Sequence, residues 1–544
     1  MRHVFCADGE DGRRRLWEAR KRLAMVIASG VMGVVSASAV AMEERYAFEP
    51  DDHRTALGTS TTSLASADST LRSCHAIALD GLAASEACTY AVSPSQEEIS
   101  PEFMEGMPMD TRKDAGSPDP RFGDNGHVRL FVEDHFNGSS QLLSDGKILS
   151  IGSGGSATVS LVRHLPDGAL DVAFGESGIK RTDLGVDREW VLRDHLVLRD
   201  DRLLLAGDAT GPDGTSTLIY ARLLPNGDLD STFGNDGVVE IDLPLTSFDQ
   251  TRRMAVQPDG KIVAAIRSSY GPGSMQSDNG LLRLRLDGSL DKTFGSGGVS
   301  YEFPPGSSLG NVTVLADGKL LLSGLGRNGA MLSRYEPNGN PDPSFGVGGH
   351  FYFMLPSDPD GNQVNKIGVQ DDGKIVLVGS VGLIGSQVGL IARVEPDGSG
   401  FDMSFNDGKP LLLPYEGRAN SEQNVAIQKT DGKIVSLGTV FGTQAPITLR
   451  RFNADGTPDR SFGEEGLVTE MKPEGVIEIL TGLQIDEDGR YLLSGSIFEF
   501  SEASRVALGS NLGDIVWQPE NAMSGVHQGP TVSQLIGISR YLAR

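Results

Sequence analysis

From about residue 114 onward, apolar residues fall in short runs separated by polar turns rich in Gly, Asp and Asn. Runs such as Ile375-Val376-Leu377-Val378 and Leu203-Leu204-Leu205 show no polar alternation, the mark of strands covered on both faces. The clearest unit lies between Glu422 and Met471. It predicts a strand at Val425-Ala426-Ile427, a tight turn at Thr430-Asp431-Gly432 and a second strand from Lys433 to Gly438. A third strand runs from Ile447 to Phe452, a turn follows at Ala454-Asp455-Gly456, and a fourth strand runs from Leu467 to Met471. Four short antiparallel strands of this kind form one propeller blade.

The unit recurs. Phe122, Phe174, Phe233, Phe294, Phe345, Phe405 and Phe462 each close a stretch resembling G-x-x-D-x-x-F-G, and an Asp stands three residues before every one. Asp-Gly-Lys or a near copy begins at Asp145, Asp200, Asp259, Asp317, Asp372, Asp431 and Asp488. The Phe markers lie 51 to 61 residues apart, the length of a blade. Both markers count to seven. Six of the second strands also carry Gly five residues after the Lys or Arg, at Gly152, Gly207, Gly324, Gly379, Gly438 and Gly495, which predicts a bulge or a close backbone approach there.

The ends predict how the ring closes. Ile538-Ser539-Arg540-Tyr541 matches third strands such as Met331-Leu332-Ser333-Arg334-Tyr335. The element that should follow it stands instead at Asp114 to Gly123, with a fourth strand from His127 to Val132. Pairing that strand with the tail removes both open sheet edges. The fold expected is all-β: a seven-bladed propeller over residues 114–544, closed by its N-terminal strand.

Residues 1–41 read as an export signal: basic residues from Arg13 to Arg22, an apolar run from Leu23 to Val35, then Ala39-Val40-Ala41. Residues 42–113 form a Ser, Thr and acid-rich linker without the repeat, expected to be mostly disordered. The predicted location is therefore periplasmic or secreted, with no integral membrane span once the signal is removed. Cys74 and Cys88, 14 apart, suit one small disulfide loop. The formal net charge of -25 excludes nucleic acid as a main partner.

The units Pro225-Asn226-Gly227-Asp228-Leu229-Asp230-Ser231-Thr232-Phe233-Gly234 and Asp259-Gly260-Lys261-Ile262-Val263 resemble the delta-60 repeat family, bacterial and mostly exported proteins of propeller fold and largely unassigned function. The resemblance covers residues 114 to 544. Asp200-Asp201-Arg202 departs from the Asp-Gly-Lys turn, and Asn406 replaces the Gly after Phe405. The resemblance implies the fold and supplies no catalytic residue.

Chemistry is sparse. The repeated Asp fits a turn residue accepting backbone N–H bonds better than a calcium ligand, since no loop has dense acidic spacing. The repeated Phe fits an anchor between blades. No metal or cofactor is expected, no catalytic residue can be named, and His127, His135, His164, His195, His350 and His527 read as surface or turn residues rather than catalysts. Seven residues before the marker Asp stand Gly138, Arg193, Arg252, Gly310, Asn365, Asn424 and Thr481, polar or Gly positions expected to ring one mouth of the central channel. Arg193 and Arg252 suit a carboxylate or sulfate, or else pair with Asp194 and Asp249. An insertion at 496–534 in the last blade, holding Phe498, Phe500, Trp517 and His527, is expected over the same mouth. The function expected is a binding or scaffolding module for a protein or glycan ligand. The alternative is a polysaccharide lyase or hydrolase.

Overall fold

The computed structural model describes residues 115–543, apart from 133–134, 154–156, 212–214, 244–247, 270–276, 305–306, 327–328, 354–361, 384, 443–444, 473–475 and 501–531. The export signal, the linker, Cys74, Cys88, Trp517 and His527 all lie outside the described residues.

Seven four-stranded antiparallel sheets form a closed ring. Strand β1 (His127–Phe131) comes first in the chain but belongs to the last blade. Blade I holds β2 (His135–Leu142), β3 (Ile148–Ser153), β4 (Thr158–His164) and β5 (Ile179–Asp183). Blade II holds β6 (Glu189–Val197), β7 (Leu203–Thr210), β8 (Ser216–Leu223) and β9 (Val238–Ile241). Blade III holds β10 (Phe248–Val256), β11 (Ile262–Ser269), β12 (Ser277–Leu284) and β13 (Val299–Ser300). Blade IV holds β14 (Ser308–Val314), β15 (Leu320–Gly326), β16 (Gly329–Tyr335) and β17 (His350–Phe353). Blade V holds β18 (Gln363–Val369), β19 (Ile375–Val381), β20 (Val388–Val394) and β21 (Leu411–Leu413). Blade VI holds β22 (Asn420–Ile427), β23 (Ile434–Val440), β24 (Ile447–Phe452) and β25 (Leu467–Glu470). Blade VII holds β26 (Val476–Ile485), β27 (Tyr491–Phe500) and β28 (Val532–Tyr541), completed by β1.

Closure follows the pairing expected from the ends. His127 lies opposite Ser539 and Phe131 opposite Leu535. Ahead of β1, the amide of Gly116 donates to the Leu542 carbonyl at 2.8 Å, and that of Asp119 to the Arg540 carbonyl at 2.8 Å. These bonds occupy the edge that the last blade would otherwise present to solvent.

Second strands are apolar because they are sandwiched. All seven residues of β19 are buried, and the same is true of β23. Outer strands face water on one side and alternate accordingly, as β5 does. Apolar clusters span neighbouring blades: Phe174 of blade I packs with Leu203, Leu205 and Ile219 of blade II.

The glycine signal is explained by a bulge on the facing strand. Each first strand slips register once, between Leu192 and Asp194 in β6, and likewise in β2, β10, β14, β18, β22 and β26. The residue before the slip lies opposite the second-strand glycine, Leu192 against Gly207 and Val364 against Gly379. A Cβ at Gly379 would stand 1.9 Å from the Gln363 carbonyl oxygen, so no larger residue fits without moving the bulge. Blade III carries Ile266 at this position, opposite Thr251. First strands run longer than predicted because the bulge breaks the alternation that would have revealed them: β22 begins at Asn420.

Candidate site in the central channel

The repeated Asp and Phe markers meet a third residue that the markers alone do not reveal. In blade IV, Nε of Arg334 donates to Asp342 at 2.6 Å, while its guanidinium lies 4.7 Å from the Phe345 ring centroid. Nη1 of the same Arg334 donates to the Pro396 carbonyl of blade V at 2.6 Å. Lys319 of the Asp-Gly-Lys turn lies 2.8 Å from Asp342, and the Ser344 amide donates to it at 3.0 Å. Every blade repeats this clamp. Arg163, Arg222, Arg283, Arg393, Arg451 and Arg540 pair with Asp171, Asp230, Asp291, Asp402, Asp459 and Asp119. The same six arginines stack on Phe174, Phe233, Phe294, Phe405, Phe462 and Phe122.

Burial opposes ionisation of these carboxyls, yet the hydrogen bonds and cations outweigh it. Asp342 is held far below the usual carboxylate range by Lys319, Ser344 and Arg334, and Asp291 lies at about 2. The seam is finished by glycine. Gly398 has φ 68° and sits where a Cβ would be 2.8 Å from the Phe345 ring. The repeated Asp is thus the turn residue expected, with its lone pairs committed to protein donors. The Arg was legible, eleven residues before the Phe marker in blades I to IV and VI.

Deviations from the repeat converge on the axis instead. Innermost strands leave one backbone edge facing the channel, and neighbouring side chains bind it. Asp194 of blade II accepts the Met254 amide of blade III at 2.6 Å. Arg253 reaches back to the Arg193 carbonyl at 3.4 Å and lies 3.8 Å from Asp194. Lys366 of blade V senses both Asp194 and Arg253 electrostatically, although blades II and V lie on opposite sides of the ring. It is half-buried, and no hydrogen bond or salt bridge reaches its ammonium among the described residues. Burial pushes the Lys366 pKa down, the Arg253 charge adds to that, and Asp194 partly offsets it.

The predicted ring residues divide. Arg193, Arg252, Gly310, Asn365 and Thr481 occupy the bulges, as the spacing from the marker Asp requires. Asn424 does not. The turn after β22 is one residue longer, so Gln423 takes the bulge and Asn424 pairs with Leu437. Arg193 donates to Asp208 through two bonds of 2.7 and 3.1 Å. Asn365 donates to the Glu422 carbonyl at 2.8 Å, and Asn424 to the Thr481 carbonyl at 2.7 Å, so both join adjacent inner strands. The Asp249 side chain lies outside the described residues. The charges that meet in the bore stand one residue beyond the bulge, at Asp194, Arg253 and Lys366. Counting from the turn pointed to their neighbours.

Two further expectations change. Phe498 belongs to β27 and is buried, so the insertion narrows to the span between β27 and β28, whose residues 501–531 lie outside the described ones. His164 and His195 are buried within β4 and β6 and are not surface or turn residues. Burial lowers the His164 pKa to about 4. Blade VI holds a second departure: Glu422, fully buried where blades II, IV, V and VII carry Leu192, Leu309, Val364 and Leu480, bonds to Arg450 at 2.5 Å and Ser436 at 2.7 Å.

Comparison with known proteins agrees with the fold. A family model described as "Domain of unknown function (DUF5122) beta-propeller" matches residues 198–233, 257–294, 315–345, 370–405 and 429–462. The chain is therefore a propeller repeat protein. No curated protein sequence matches it. Among solved structures, prolyl oligopeptidase B from Galerina marginata is similar at 11% identity and a TM-score of 0.36, covering 69% of this chain and 47% of that one. A structural-genomics target provisionally titled a gluconolactonase is similar at 15% identity and a TM-score of 0.32, covering 59% and 93%. The chain spans about half the length of the peptidase.

Proposed function

We propose that this protein is an exported binding module whose ligand, an acidic glycan or small molecule, enters the central channel at the level of the first-strand bulges. The observation that carries this reading is that Arg253 of blade III and Lys366 of blade V occupy the same first-strand position, one residue beyond the bulge, in a chain whose formal net charge is -25. A cationic bore inside an acidic protein focuses field lines and draws anions inward. Arg252, beside Arg253 on the bulge of β10, extends the same charge. The leader-like residues 1–41 support a periplasmic or secreted location.

The enzyme reading requires two carboxylates, or a Tyr or His beside an Arg, converging on the channel. Asp194 with two cations supports recognition better than hydrolysis. The test is a thermal-shift screen of acidic oligosaccharides against wild type and an Arg252→Ala/Arg253→Ala variant. At least one compound should stabilise wild type and lose that effect in the variant. Equal shifts in both proteins refute the channel site.

A further inference from the structure

The channel cluster carries a more specific reading, which rests on the binding role proposed above. Three facts define it. Lys366 stands one residue beyond the bulge of its first strand, the position held by Asp194 in blade II and Arg253 in blade III, with no hydrogen bond or salt bridge among the described residues. Arg253 is held in place by the Arg193 carbonyl, and its side chain is 41% exposed. Asp194 uses Oδ2 on the Met254 amide, while among the described residues Oδ1 has only the loose 3.8 Å approach of Arg253.

Two cations and one carboxylate leave a net positive charge, which fits a single anionic group. The spare lone pairs of Asp194 Oδ1 ask for a donor beside that group. From this geometry we infer that the bore holds a hydroxylated carboxylate, a sugar acid of the uronate type, with its carboxylate between Lys366 and Arg253 and a hydroxyl donating to Asp194. A neutral sugar leaves both cations unanswered, and a plain carboxylate leaves Asp194 without its donor. Each lost charge-assisted bond costs affinity because such bonds are roughly twice as strong as neutral ones.

The blade positions explain why all three can act together. Asp194 and Arg253 are fixed by backbone bonds across the blade II and III seam, so the anion-facing geometry exists before the ligand arrives. Lys366 comes from blade V, so the ligand is held by two separate parts of the ring.

Titration calorimetry of the whole protein with glucuronate, glucose, acetate and inorganic phosphate tests this. Glucuronate should bind, glucose should not, and acetate and phosphate should bind more weakly. Lys366→Met should weaken glucuronate by roughly tenfold or more. Asp194→Asn keeps an acceptor for the Met254 amide, and it should erase the preference for glucuronate over acetate. Affinity should also fall with rising pH before an ordinary lysine would titrate. Melting curves confirm that each variant is folded, and removal of an unpaired interior charge by Lys366→Met should not lower stability. Equal glucuronate affinity in wild type and Lys366→Met overturns the inference, as does glucose binding as well as glucuronate. If an acidic oligosaccharide binds through Arg252 and Arg253 while glucuronate does not bind, this inference falls and the broader channel-binding role stands. If no anion binds, both fall.

Discussion

Arg540 lies 2.9 Å from Asp119, a residue 421 positions earlier in the chain. The pair is one of seven clamps, and it joins the two ends of the propeller. Asp119 is fully buried, and burial opposes its charge, but Arg121 and Arg540 hold its carboxyl below the usual range. Removing one partner of such a pair leaves the other buried and uncompensated. Arg540→Met should therefore cost about 3–5 kcal/mol in denaturant unfolding. Arg460→Ala, which breaks an exposed pair with Glu465, should cost at most about 1 kcal/mol. Equal effects would contradict the clamp.

Phe345 is fully buried beneath Arg334 and against the turn of the next blade. Phe345→Ala should destabilise by about 3–5 kcal/mol, because the cavity opens between two rigid blades that cannot both collapse into it. Thermal unfolding checks this. A loss below about 1 kcal/mol would show that the ring is not an anchor.

Acid should spare the fold until low pH. The carboxyls of Asp119, Asp230, Asp291, Asp342, Asp402 and Asp459 have folded pKa values below the unfolded value, with Asp291 at about 2. Their contribution is fully present above the unfolded value of about 3.9. It is lost as pH falls from there through the folded values. Circular dichroism melts should change little down to about pH 4 and drop steeply toward pH 2. A midpoint that declines steadily from pH 6 would reject this assignment.

Glu422 and Arg450 form an isolated buried pair in blade VI, with Gly389 and Gly438 giving the carboxylate room. Glu422→Leu or Arg450→Met alone should each destabilise by about 3–5 kcal/mol. The double replacement should recover most of that loss, since blades II, IV, V and VII carry Leu or Val at the position of Glu422. A double-mutant cycle with no coupling would show that the two charges act independently.

The fold was legible because every blade obeys the same local rules. Phe and Asp markers recur at turn positions whose geometry admits few alternatives, and the sandwiched second strands announce themselves as unbroken apolar runs. The split blade was visible too, since Ile538 to Tyr541 matches a third strand and His127 to Val132 a fourth strand. Side-chain partners were harder. Arg334 recurs at a fixed distance before the Phe marker in most blades, but only the fold shows that it lands on Asp342 and Phe345. The channel charges were displaced by one residue because a bulge separates register from count. In blade VI the longer turn shifted it again, so Asn424 stood in for Gln423. Lys366 gave no local signal, since its neighbours come from blades II and III, more than 100 residues away.

Amide hydrogen exchange of the intact chain, read by mass spectrometry, tests ring closure most directly. Peptides covering His127 to Phe131 should be protected as strongly as those covering β17, the equivalent outer strand of blade IV. Exchange of residues 127–131 at the rate of an unfolded peptide, with β17 protected, would mean that the tail and the N-terminal strand do not share a sheet and that no closed bore exists.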